Sequence, residues 1–292
     1  HYGILIDFFG AQKDLKEKTL RVLHNLSFVE DPTRVFRAVR FEQRFGFKIG
    51  KLTANLIENA LRIGGIDKLA PKRIFSEFYL ILNEENTLPI TRRLGELKIL
   101  QAIDPDLVLS PKTELLLEEI RRILSWFNLL YLNEPCQRWL VFFLALTHPL
   151  SDLNRVRQRL GLPKKASELI ALCRGEGEKA LITLNRKPRI TRSEIYVLLS
   201  PFPNEILLYF MARTNQEAAR KAISLFFTKL KGIKLSVGGE DLKSLGLPPS
   251  PLFKTILNDL LEARINEKVL TRNDEIAYVK ERYLKPSALA AP

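Results

Sequence analysis

Cysteine is almost absent: Cys136 and Cys173 are the two thiols of a 292-residue chain. So distant a pair forms neither a zinc spacing nor a disulfide framework, so a reducing, cytoplasmic setting is expected, with both thiols serving as packing residues. Histidine is scarce too, and His1, His24 and His148 are scattered, with no clustered acids that would make a metal site. No apolar run approaches the roughly 20 residues that span a bilayer, and no basic-then-apolar leader opens the chain, so no membrane partner is expected. A glycine-rich phosphate loop of the P-loop or dinucleotide type is missing as well.

Strand patterning is nearly confined to one place. Tyr2 to Phe9 is a short β-like apolar run that ends at Gly10, and almost everything after it has helical periodicity. One strand cannot pair with itself, so the run is expected to be a residual β-strand of an α/β domain lying outside this chain.

What is present in quantity is positive charge and helix-forming sequence. Lys and Arg total 46 against 33 Asp and Glu, a formal net charge of +13 that favours a polyanionic partner such as nucleic acid. The apolar share of 46% is enough to bury a sizeable core. Short helical patterns punctuated by Pro and Gly predict an all-α, multi-helix array of neck, body and tail: residues 1–25 as a domain end and hinge, 26–105 as neck, 106–203 as body and 204–292 as tail.

Within the neck, Ser27 with Glu30 spells a capping box, and Asp31 before Pro32 spells an N-cap followed by proline at the first helical position. Gly46 is expected to stop that helix, Leu52 to Leu61 to form a second, and Pro71 to open a third after Gly64-Gly65. Further helices are expected over 88–105, from about Thr113 to Tyr131, from Trp139 to Leu146, around Arg155 and Lys164, from Ser193, from Asn204 to Leu230, and from Leu252 to Ala263.

The stretch with chemical content runs from Glu30 to Phe41. At about 100° per residue, Arg34, Arg37 and Arg40 fall on one ridge with Asp31 at its N-terminal end, while Val35, Phe36, Ala38 and Val39 cover the rest. Arginines on a mostly buried helix need carboxylates, carbonyls or phosphates, and a triphosphate would satisfy several at once. A solvated basic face or internal salt bridges would fit the same spacing. Asp31 and Arg34, three apart, can point into one pocket. An aspartate accepting from an exocyclic amino group and an arginine donating to a ring nitrogen together match the Watson–Crick edges of cytosine and adenine. Guanine and uracil would leave both groups mismatched.

This segment, Glu30-Asp31-x-x-Arg34 continuing into Arg37-Ala38-Val39-Arg40-Phe41, resembles the nucleotide-recognition motif of class II tRNA nucleotidyltransferases, the CCA-adding and A-adding enzymes, and of bacterial poly(A) polymerases. Asp7-Phe8-Phe9-Gly10-Ala11-Gln12-Lys13-Asp14 resembles the family's hinge motif, with Ala11 where a second glycine is usual, and Arg73-Ile74-Phe75-Ser76-Glu77 resembles a further neck motif that braces the recognition helix. Glu240-Asp241-Leu242 and Leu245 to Pro251 are similar to the terminal region of longer members.

The resemblance implies that Asp31 and Arg34 read the incoming base and that Arg37 and Arg40 hold the nucleotide and its phosphates. It further implies supporting roles for Glu30, Arg73 and Glu77, and a hinge at Asp7, Gly10 and Asp14. ATP and CTP would be the substrates and tRNA the partner. Catalysis would need Mg2+ bound by carboxylates of a head domain outside this chain, since no Gly-Ser turn with paired aspartates occurs here. Asp104-Pro105-Asp106 has the right letters without that turn and reads as capping chemistry. Basic stretches at Arg155–Lys165, Arg186–Arg192 and Lys229–Lys234 are candidate tRNA-backbone contacts. A poly(A) polymerase and a non-catalytic RNA-binding module remain as alternatives.

Overall fold

The computed structural model describes residues 3, 5–132, 134–187 and 189–284. Its helices in chain order are α1 Ala11–Glu17, α2 Ser27–Glu30, α3 Arg34–Phe45, α4 Lys51–Arg62, α5 Pro71–Leu82, α6 Thr87–Glu96, α7 Pro111–Asn128, α8 Arg138–Leu146 and α9 Asn154–Leu160. They continue with α10 Lys164–Leu172, α11 Glu178–Arg186, α12 Arg192–Leu199, α13 Asn204–Arg213, α14 Glu217–Leu225, α15 Gly239–Ser244, α16 Leu252–Ile265 and α17 Arg272–Val279. The all-α reading therefore holds. Extended structure among the described residues is one parallel pair, β1 Thr19–Leu20 with β2 Lys48–Ile49, in the register Thr19 to Lys48 and Leu20 to Ile49. Of the strand expected over Tyr2 to Phe9, Tyr2 and Ile4 lie outside the described residues, and Leu5 to Phe9 pair with nothing in a sheet.

Two compact units form. The first comprises residues 1–175 and 204–213, the second residues 176–203 and 214–292.

In the first unit α3 buries Val35, Phe36 and Val39 completely, the i, i+1, i+4 spacing of one helical face. Gly46 ends α3 in the left-handed region at φ 64°, as its lack of Cβ allows. The turn after α4 brings backbone close to backbone: a Cβ on Gly65 would stand 2.8 Å from the Ala60 carbonyl oxygen. Pro71 then occupies the first turn of α5, which turns Ile74, Phe78, Ile81 and Leu82 inward. Every residue of α8 from Trp139 to Leu146 is buried, with α5, α7 and α13 packed around it. A helix apolar all round is a core helix, which accounts for the strongest hydrophobic run in the sequence. Among the described residues, no single helix is long and apolar enough to cross a membrane.

The second unit joins α12 to α14 and α16, and α16 to α17. Its terminal part has its own core of Val237, Leu242, Leu247, Ile256, Leu260, Ala263, Val269 and Val279.

Several expected boundaries move. The helix expected over 88–105 stops at Glu96 because Lys98 adopts φ 59°, and the turns that follow swing Ile99, Leu100 and Ile103 into the core. The run from Asn204 to Leu230 is broken at Thr214, whose buried hydroxyl donates to Asn185 Oδ1 at 2.6 Å and accepts from the Gln216 amide. Ser27 makes no capping box; it is the first residue of α2, with Leu26 at the N-cap and no side-chain cap bond. Pro32 sits in the turn before α3, not at its first position, because Asp31 turns the chain by binding Thr33.

Candidate functional site

The Glu30–Arg40 segment is held from three sides, by α2, α5 and the loop after α5. Asp31 is the joint between α2 and α3, extended at φ −140° and ψ 90°, with its side chain 22% exposed. Its Oδ1 accepts three hydrogen bonds: from the Thr33 amide at 3.1 Å, the Thr33 hydroxyl at 2.6 Å and Arg73 Nη2 at 2.9 Å. Among the described residues Oδ2 has no hydrogen-bond donor. Burial pushes this carboxyl up, but the bonds from Thr33 and the charge of Arg73 outweigh it and hold the group below the usual aspartate range. Asp31 is therefore an acceptor only, with one oxygen in use and one open.

Arg34 opens α3 with its side chain 40% exposed. Its Nη1 donates to the Ser27 carbonyl at 3.2 Å and stands 3.8 Å from Glu30, whose other neighbour is His24 at 3.4 Å. The remaining face of the guanidinium makes no hydrogen bond to the described residues. Arg37 is exposed, with no hydrogen bond or ion pair to the described residues, and its charge is felt by Glu77.

Arg40, at the far end of the ridge, is buried. Its guanidinium lies 3.3 Å from Glu84 and 3.8 Å from Glu77, while Arg44 shares Glu84 at 3.4 Å. Among the described residues Arg40 Nε and Glu77 Oε2 have no hydrogen-bond partner. Desolvation raises the Glu77 carboxyl above the usual range, and the opposing pull of Arg40, Arg37 and Arg73 does not cancel it. Beside Arg40 is a cavity of about 480 Å³ lined by Arg44, Asn83, Glu84, Glu85 and Asn86 among others.

Arg73 and Glu77, four apart on α5, do not pair with each other; Arg73 reaches Asp31 and Glu77 faces Arg40. One turn of α5 thus grips both ends of the arginine ridge. Glu84 and Thr33 complete the arrangement, and sequence reasoning missed both. Thr33, two residues after an aspartate, carried a usable signal of an Asx-type turn. Glu84 lies 44 residues from Arg40 and carried none.

In the segment expected to be a hinge, Asp7 Oδ1 and Oδ2 accept from the amides of Ala11 and Gln12, each at 2.8 Å, so that Asp7 caps α1 from outside. Those bonds hold its carboxyl below the usual range. Gly10 is left-handed at φ 73°, and Asp14 pairs with Arg21. Asp104 accepts from the Asp106 amide at 2.9 Å, in keeping with a turn. His148 Nδ1 meets the Tyr209 hydroxyl at 2.9 Å. Among the described residues no group of three or more His, Cys, Asp and Glu side chains is placed to hold a metal ion.

No family profile matches the chain. It is 46% identical over 281 residues to an A-adding tRNA nucleotidyltransferase of Geobacter sulfurreducens, a match covering 94% of this chain and 32% of that protein. The chain thus spans about a third of the length of this relative and of an A-adding tRNA nucleotidyltransferase of Aquifex aeolicus. Its structure is similar to that of a CCA-adding enzyme in complex with CTP, with a TM-score of 0.77 and 29% identity, over 98% of this chain and 68% of the other. It is also similar to the Thermotoga maritima CCA-adding enzyme complexed with tRNA, with a TM-score of 0.75 and 28% identity, over 94% and 67% of the two chains. With the motifs of α1, α3 and α5 in the order and setting just described, the chain belongs to the class II tRNA nucleotidyltransferase family of A-adding and CCA-adding enzymes.

Proposed function

We propose that this chain selects the nucleoside triphosphate for addition to the 3′ end of tRNA, with Asp31 and Arg34 reading the Watson–Crick edge of ATP or CTP. The observation that carries this reading is the half-used carboxylate: Asp31 keeps Oδ2 open while Oδ1 is taken by three donors. Three residues on, Arg34 commits only Nη1. An open acceptor next to an open donor matches the amino group and ring nitrogen of adenine and cytosine, and opposes the carbonyl and ring N–H of guanine and uracil.

Arg37, exposed and without a partner among the described residues, suits the triphosphate. Arg40 is already neutralised by Glu77 and Glu84, so its contribution is to fix the far end of α3 and to line the adjoining cavity. Glu30 positions Arg34 and Arg73 positions Asp31. In the division into hinge, neck, body and tail, residues 26–105 do the selecting, and the body and tail contact tRNA. Exposed Arg155 and Lys164 fit a phosphate-tracking surface. Arg159 does not, since it donates to the carbonyls of Ile66 and Leu69 and straps α9 to the neck. Chemistry at the 3′ hydroxyl needs metal-binding carboxylates, which this reading assigns to a head domain outside these residues.

The test uses the intact gene product that contains residues 1–292 and tRNA ending in C, CC or CCA. Extension of the CC end by one A alone is expected of an A-adding enzyme, as the name of the Geobacter relative suggests. Extension of the C end as well would make it CCA-adding. Asp31→Ala and Arg34→Ala should each lower discrimination against UTP and GTP by about tenfold to a hundredfold, with the KM for tRNA unchanged. Unaltered discrimination would remove both residues from base reading.

A further inference from the structure

Thr33 occupies the N-cap position of α3, where a threonine hydroxyl ordinarily accepts from an amide one turn on. Here it makes no such bond. The side chain, in a residue only 5% exposed, points backward instead, and its hydroxyl donates to Asp31 Oδ1 at 2.6 Å while its amide donates to the same atom at 3.1 Å. The helix forgoes a stabilising cap, and the hydroxyl becomes the third donor to Asp31 Oδ1 beside the Thr33 amide and Arg73.

We propose that Thr33 is a positioning residue for base selection: it fills Oδ1 of Asp31 and locks the carboxylate plane, so that Oδ2 is the single acceptor shown to the base. The proposal rests on the base-reading role of Asp31. Arg73 cannot set the plane alone, because its long side chain is half exposed and free to follow the carboxylate. Thr33 can, since its amide belongs to the turn and its hydroxyl sits on a stiff β-branched side chain two residues away. A carboxylate held in this way resists rotating into an arrangement that would tolerate a carbonyl, the group presented by uracil and guanine.

Thr33→Val keeps the shape and the amide and removes only the hydroxyl. In the intact gene product it should lower the ratio of kcat/KM for the cognate nucleotide over UTP and GTP by about tenfold, the value of one hydrogen bond to a charged group, with the KM for tRNA unchanged. Thr33→Ser should restore the ratio. In the 292-residue chain, carbon-13 NMR of the Asp31 carboxyl should show its titration moving to higher pH in Thr33→Val and returning in Thr33→Ser. Arg73→Gln, at an exposed side chain, guards against a folding defect and should shift both readouts in the same direction by less. Thr33→Val discriminating as well as the unchanged protein would overturn the proposal, as would a loss that Ser does not rescue or that raises the KM for tRNA in step. If the unchanged protein itself incorporates all four nucleotides equally, base reading by Asp31 fails and this proposal falls with it, a result distinct from failure at Thr33 alone.

Discussion

Asp31 and Glu275 are both carboxylates that accept from main-chain amides, yet one sits in the turn between α2 and α3 and the other inside the terminal core. Glu275 is fully buried: its Oε2 accepts from the amides of Ser236 and Val237, each at 2.9 Å, and its Oε1 faces Arg264 at 3.2 Å. Oε1 accepts no hydrogen bond among the described residues, but it is shut away from solvent and held by that ion pair. Asp31 lets the fold use one oxygen and holds the other clear. The contrast separates a carboxylate that builds a structure from one that a structure has been built around, and burial alone would have ranked them the other way.

The sharpest way to break this comparison is Glu275→Ala. It leaves Arg264 without its carboxylate and two amides without an acceptor, a loss expected to cost about 3–5 kcal/mol, as for other broken buried pairs. Hydrogen exchange should then quicken across residues 232–279 while α3 and α5 keep their protection. Equal loss of protection in α3 would mean that Glu275 holds more than the terminal core.

A smaller effect, with a sign, is expected at Glu77. Its carboxyl is held above the ordinary range chiefly by burial, so the folded state binds that proton more tightly than the unfolded chain does. Its stabilising influence is therefore full below the ordinary carboxylate pKa and is lost as pH rises through the raised folded value. Glu77→Gln has no such titration. Denaturant midpoints measured from pH 4 to pH 7 should therefore move in favour of the variant as pH rises, and a difference that stays flat, or moves the other way, would show that Arg37, Arg40 and Arg73 outweigh desolvation.

How much of this could be read beforehand follows from the range of each interaction. Gly46, Pro71 and the apolar faces of α3 and α5 are local signals, and they appear where the spacing puts them. The arginine ridge is local as well. What it binds is not: Arg73 reaches Asp31 across 42 residues, and Glu84 reaches Arg40 across 44. The pattern also gave Arg34, Arg37 and Arg40 one shared environment, whereas Glu77 of α5 and Glu84 of the loop after it cover Arg40 and leave Arg34 and Arg37 accessible. Glu275 follows Asp274, the residue that completes the Thr271 capping box, and nothing in the letters marks it as the buried one. Lys98, a non-glycine residue with positive φ, ended α6 where helical periodicity continued.

The mildest change in stability belongs to Asp31→Asn, and it sharpens the comparison most. Oδ1 is surrounded by three donors, two from Thr33 and one from Arg73, so the asparagine must place its carbonyl oxygen there and not its amide nitrogen. The turn therefore survives, and the weakened link to half-exposed Arg73 should cost under about 1 kcal/mol by thermal melting. The same constraint puts NH2 in place of Oδ2. A donor now meets the amino group of adenine or cytosine, while Arg34 still opposes the ring N–H of guanine or uracil. No base then satisfies both residues, so the variant should lose its preference for ATP and CTP without gaining a strong one for UTP or GTP, as measured by competitive incorporation. A preference that persisted in Asp31→Asn would make the open oxygen a bystander and return Asp31 to the same class as Glu275.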